Sequence, residues 1–142
     1  MKPRRTALLS SMLGALLTTA PAASAADPDH FEHRHRNVRI SSGRIYPKVL
    51  EIHSNDALVW INYSSRVARV SFDKSVAAKL KCNSRSAFGV TDDRLVSSRI
   101  QGSQFASICN LSAGEYAYRV DLYSSSGDAV SARSFEGKIV VE

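Results

Sequence analysis

Histidine is missing after His53 and methionine after Met12, and only two cysteines and one tryptophan occur in 142 residues. Each scarcity excludes something. Two cysteines are too few for a mini-scaffold held by several disulfides, and neither Cys82 nor Cys109 stands in a Cys-x-x-Cys pair or a Cys/His cluster. Zinc and thiol-redox motifs are therefore not present. With every histidine before residue 54 and three of them at His30, His33 and His35, no Ser/His/Asp set can be assembled, and Asp92-Asp93 beside Arg94 reads as a loop charge cluster. The expectation is a protein that is not an enzyme. Glycine and proline, at seven and four, form no repeat and no low-complexity tract. The longest apolar stretch, Ala7 to Ala20, is diluted by Ser10, Ser11, Thr18 and Thr19 and falls short of the about 20 residues a membrane-spanning helix needs.

What is present begins with a leader. Lys2, Arg4 and Arg5 precede that apolar stretch, and Ala23-Ser24-Ala25 offers the small side chains of a signal-peptidase site, so residues 1–25 read as a secretory signal peptide. A permanent anchor is the rival reading. Arg4-Arg5 matches the twin-arginine export signal only weakly, which leaves the route open. Cleavage would remove three basic residues and no acidic one, lowering the net charge from +6 to +3. That mild balance, with no concentrated basic face, speaks against a nucleic-acid partner. The compartment expected is the periplasm or the exterior. There Cys82 and Cys109 are expected to form one disulfide; closing a loop of about 28 residues removes roughly 3.6 kcal/mol of denatured-state entropy. A free thiol at Cys109 is the alternative.

Residues 26–36, ADPDHFEHRHR, are polar without periodicity and read as a mobile arm before a domain spanning 37–142. Beyond the arm the period is close to two. Short strands are expected at Asn37 to Ile40, around Val49 to Ile52, at Ala57 to Tyr63 (apolar on both faces), Ala68 to Phe72, Phe105 to Leu111, Glu115 to Tyr123 and Phe135 to Glu142. Between Asp73 and Gln104 the pattern is less regular; Ser75 to Lys81 suits a helical turn or two, and Asn83 to Phe88 a loop. Seven or eight short strands with turn signals between them indicate an all-β antiparallel sandwich.

Tyr46-Pro47, the strand Val49 to Ile52, Asp56, Val59-Trp60-Ile61-Asn62, Phe72-Asp73, the run from Leu111 through Ala113-Gly114 to Tyr116 and Tyr118, and Gly137-Lys138-Ile139-Val140-Val141 occur in an order that resembles the cupredoxins, the plastocyanin-like copper proteins. The resemblance covers about Ile40 to Glu142. It implies a cupredoxin-like Greek-key β-sandwich and, in the family, electron transfer at a type 1 copper. Such a site holds the ion with two imidazoles and one thiolate, plus a weak axial Met or carbonyl. Carried over residue by residue, the slot of the first His is Ala68 and that of the Cys is Val120. The second His and the Met belong between Asp121 and Glu136, which contains neither. The resemblance thus implies a copper-ligand-deficient member, with hydrocarbon at both vacated positions and no cofactor expected.

Three functions follow as expectations. The first is an exported, copper-free binding or structural module acting on a protein or small ligand of unknown identity. The second is a copper-handling protein using His30, His33 and His35, since imidazoles suit copper, nickel or zinc and spacings of three and two let a flexible arm gather them; Arg34 and Arg36 oppose a cation there. The third is a blue-copper electron carrier, as the family would suggest. Tyr116, Tyr118 and Tyr123 with Arg119 and Arg133 form a candidate adhesive surface or a core edge. Asn62-Tyr63-Ser64 and Asn110-Leu111-Ser112 match the N-glycosylation pattern.

Overall fold

Alternation decides which side chains lie inside. Along Ala57–Asn62 the residues Leu58, Trp60 and Asn62 are buried and their neighbours only half covered; along Gly114–Tyr123 the buried set is Tyr116, Tyr118, Val120 and Leu122. Successive side chains of a strand leave on opposite faces, so each such strand commits one face to a shared interior. The computed structural model describes residues 34–81, 87–124 and 131–142. Among them ten strands form two sheets. One comprises β1 (His35–Ile40), β2 (Ile45–Tyr46), β4 (Ala57–Asn62) and β8 (Phe105–Ile108), in the order β2-β1-β4-β8. The other comprises β3 (Val49–Ile52), β5 (Val67–Asp73), β6 (Phe88–Val90), β7 (Arg94–Ser97), β9 (Gly114–Tyr123) and β10 (Arg133–Val141), in the order β3-β10-β9-β5-β7-β6. Pairing is antiparallel except for β1 with β4 and β3 with β10.

Ten strands exceed the seven or eight expected, through β2, β6 and β7. The last two lie where the sequence reads as irregular. Each has four residues or fewer, interrupted by Gly89 and the Asp92-Asp93 turn, and their place comes from pairing: Ser71 lies opposite Val96 and Phe72 opposite Leu95. The helical turn expected after Ser75 is a 3-10 helix at Lys74–Lys79, opened by Asp73, whose carboxylate accepts from the Ser75 N–H at 2.9 Å. The arm boundary also moves: His35 and Arg36 belong to β1, where His35 lies opposite Ala57 and Arg36 opposite Leu58. Arg36 is held by Asp56, with Nε donating to the carboxylate at 3.1 Å. Burial pushes the Asp56 carboxyl up, but the His53 N–H and the Arg36 guanidinium together hold it below its usual value.

The interior is built around aromatic rings. Trp60 meets Phe72, Phe88 and Tyr118 at centroid distances of 5.5–5.6 Å, edge-on to Phe72 and Tyr118. Edge-to-face pairs of this kind add about 0.5–1.5 kcal/mol beyond their buried area. Tyr116 and Tyr118 are therefore core residues, not an adhesive surface; Tyr123 is half buried. The Tyr118 hydroxyl and the Trp60 indole nitrogen are both buried without a partner at hydrogen-bond geometry, and burial pushes the phenol up to about 12. Removing an unpaired buried hydroxyl removes a desolvation cost. Tyr118→Phe is expected to be neutral or to stabilise by about 1 kcal/mol, read as an unchanged or raised melting temperature. A clear loss of stability would mean that the hydroxyl is bonded in solution. Among the described residues no helix is long and apolar enough to cross a membrane. Residues 1–25, read as a signal peptide, lie outside them.

Candidate functional site

Ala68 on β5 and Val120 on β9 are fully buried. Ala68 lies opposite Leu122 on one side and, through paired backbone bonds of 2.9 Å, opposite Ile100 on the other. Val120 lies opposite Val70. All of these side chains are hydrocarbon and belong to the buried core. They have no lone pair to give a metal, so positions 68 and 120 do not fit a copper ion. Among the described residues no group of three or more His, Cys, Asp or Glu is gathered as a metal site would need. Of the histidine cluster, His30 and His33 lie outside the described residues, and His35 is exposed at the start of β1. His53 is exposed just after β3.

A buried polar knot closes this end of the sandwich. The side chain of Asn62, the last residue of β4, donates through Nδ2 to the Arg66 carbonyl at 2.7 Å and the Ile100 carbonyl at 2.8 Å. Its Oδ1 accepts from the Ser64 N–H at 2.9 Å and the Ser64 hydroxyl at 2.7 Å. Every donor and acceptor of the amide is in use, which also withdraws Asn62 from glycosylation in the folded state. The knot fixes residues 63–66, which carry exposed Tyr63 to the surface.

Two surface features remain as candidates for binding. On the outer face of the six-stranded sheet lies a cleft of about 680 Å³, bordered by Lys48, Asp73, Arg94, Arg119 and Glu136, with Ala117 and Gly137 contributing little bulk. It carries charges of both signs, and two of its cations are paired: Arg119 Nε donates to Asp121 at 2.8 Å, and Lys138 on its border donates to Glu115 at 3.1 Å. On the outer face of the four-stranded sheet, Tyr46, Arg39, Ile61 and Phe105 stand opposite one another in a single row. Ala57 to Tyr63 is apolar on both faces, the pattern expected of a strand inside a sandwich. In the structure Val59 and Ile61 point outward and are only half covered. An outward apolar face on one strand was the sequence signal for this row; its other members come from three separate strands.

Cys109 follows β8, and among the described residues no cysteine is free; its expected partner, Cys82, lies outside them. No protein-family model matches the chain, and no curated protein does. Solved structures do match. The amicyanin of Paracoccus versutus is 18% identical over 75% of this chain and 79% of its own, at a TM-score of 0.51. A reduced Cu(I) form of an amicyanin variant is 20% identical over 84% and 87%, at a TM-score of 0.52, and another reduced amicyanin variant is 18% identical over 80% and 87%, at 0.53. Amicyanin is a cupredoxin, and at these identities the likeness speaks for architecture alone: the two-sheet sandwich of this chain is a cupredoxin-like fold.

Proposed function

We propose that the protein is an exported cupredoxin-like module that has given up type 1 copper and acts by binding a protein or a small ligand. One observation carries the reading. Ala68 and Val120, at the positions the resemblance assigns to metal ligands, are sealed into hydrocarbon with Leu122, Ile100 and Val70. A copper ion there would lose its donors and displace packed core, so the fold is retained as a scaffold. The periplasm or the exterior is the proposed compartment, with a Cys82–Cys109 disulfide as a staple. In support of the staple, the Lys81 N–H bonds the Asn110 carbonyl at 2.9 Å, and Leu80 bridges Leu111. These contacts end one residue short of each cysteine.

Titration of the purified protein with Cu(II) tests this reading. The expected result is no intense blue charge-transfer band. Weak binding that disappears in the triple variant His30→Ala, His33→Ala, His35→Ala would instead assign the arm a metal-carrying role. That triple substitution is preferable to deleting residues 26–36, because His35 and Arg36 belong to β1. An intense blue band would overturn the proposal in favour of an electron carrier.

A further inference from the structure

Resting on the reading of the chain as a binding module, we infer that the outer face of the four-stranded sheet docks an acidic protein surface, with a partner carboxylate seated between Arg39 and Arg44. The first observation is the row itself. Tyr46 pairs with Arg39, Arg39 with Ile61 and Ile61 with Phe105, so one line of side chains crosses all four strands. Three strand spacings of about 4.8 Å make it roughly 14 Å long. Its ends are bare: Tyr46 is 65% and Phe105 68% exposed. A solvated sheet face is ordinarily polar, whereas this one has Val59 and Ile61 at its centre and aromatic rings at its margins.

The second observation is charge. The four strands and the turns at 41–44, 63–66 and 101–104 contain His35, Arg36, Arg39, Arg44 and Arg66 and no carboxylate. The adjoining Asp56 is buried and held by Arg36 at 3.1 Å. Every other described acidic residue belongs to the six-stranded sheet, its turns or the C-terminal residue Glu142. Neither Arg39 nor Arg44 has an ion-pair partner among the described residues. Together with Tyr46 and Tyr63 they line a depression of about 460 Å³. The field at this face is one-signed and complementary to carboxylates.

The third observation separates a protein from other polyanions. The cations of these strands and turns are arginines and one histidine, without a lysine. Arginine presents a planar fork matched to a carboxylate, and arginine and tyrosine are enriched in protein interfaces while lysine is depleted. A surface for polyphosphate or anionic lipid works by accumulating many cations, lysines included. Here the cations are few and surround an apolar centre.

Isotope-labelled protein titrated with four probes tests the inference: a short peptide alternating glutamate with leucine and phenylalanine, the same peptide with lysine for glutamate, a sulfated polysaccharide, and vesicles of anionic phospholipid. The acidic peptide is expected to shift the amide signals of β1, β2, β4 and β8. The exposed double variant Arg39→Glu with Arg44→Glu, its fold checked by its melting curve, is expected to weaken that binding about tenfold or more; Phe105→Ser also weakens it, and Arg69→Glu on the other sheet leaves it unchanged. The inference is overturned by absent binding of the acidic peptide, by shifts confined to the six-stranded sheet, by equal binding of the lysine peptide, or by an unaffected double variant. It is equally overturned if the polysaccharide or the vesicles occupy this face and the peptide does not. A blue band with Cu(II) would sink the underlying reading whatever the peptide does, whereas a failed peptide titration without that band removes the docking surface alone.

Discussion

Asn62→Ala is expected to lower stability by roughly 3–5 kcal/mol, the largest loss from any single polar side chain of the described structure. Asn62 is fully buried, and its amide makes four hydrogen bonds, to the Arg66 and Ile100 carbonyls and to the Ser64 N–H and hydroxyl. Alanine would strand the Ser64 N–H in an interior that water reaches poorly, at about 1–3 kcal/mol, and would remove three further hydrogen bonds worth about 0.5–1.5 kcal/mol each, while the Ile100 carbonyl keeps the Ala68 N–H and the Arg66 carbonyl keeps the Ser64 hydroxyl. The melting temperature should fall by on the order of 15 °C. Asn62→Asp is the informative companion, because it keeps the acceptor that Ser64 uses but loses the amide donor and buries a carboxylate against two carbonyls. A fall of only a few degrees in both variants would show that the knot is solvated. Residues 63–66 hang from this knot, so the alanine variant should also lose binding at Tyr63 and the neighbouring depression before it loses the sandwich.

Gly137→Val is expected to cost about 3 kcal/mol for the opposite reason, too much matter instead of too few partners. Gly137 on β10 lies directly opposite Tyr118 on β9, and the tyrosine ring lies across it. A Cβ built on Gly137 would overlap the ring carbons and hydroxyl of Tyr118. An aromatic ring laid over a strand glycine is a known way to fill the gap a missing side chain leaves. The ring cannot swing aside freely, because Trp60 stands at 5.5 Å and Phe72 at 5.8 Å from it, centroid to centroid. The test is a double-mutant cycle measured by denaturant unfolding: Gly137→Val combined with Tyr118→Leu should recover much of the loss, since the shorter side chain vacates the space. Additive effects would show that the valine strains something other than the ring.

How much of this was legible in the chain depends on the range of the interaction. Alternation in Glu115 to Tyr123 marked β9, because a strand's own neighbours state its period, but whether Tyr116 and Tyr118 face the core or solvent was decided by the sheet they pack under. The β-branched run in Phe135 to Glu142 marked β10. By contrast β6 and β7 carry too few residues to state a period, and they exist because β5 offers them a partner, with Phe72 opposite Leu95. His35 and Arg36 read as arm because they are polar; parallel pairing with Ala57 and Leu58 makes them strand. At the site, the hydrocarbon identities of Ala68 and Val120 were plain, but their enclosure by Ile100 and Leu122 needed two further segments brought alongside.

The surface row was least legible. Tyr46, Arg39, Ile61 and Phe105 are scattered over residues 39–105, and no local pattern relates them. The amino-acid sequence alone determined the strand periods, the side chains incapable of holding a metal and the supply of arginine over lysine in the segments that build one sheet, because these are properties of single residues and near neighbours. Only the tertiary structure decided which strand faces meet solvent together and in what register, because cross-strand pairing joins residues far apart in the chain and a shift of one position would turn each of them to the opposite face.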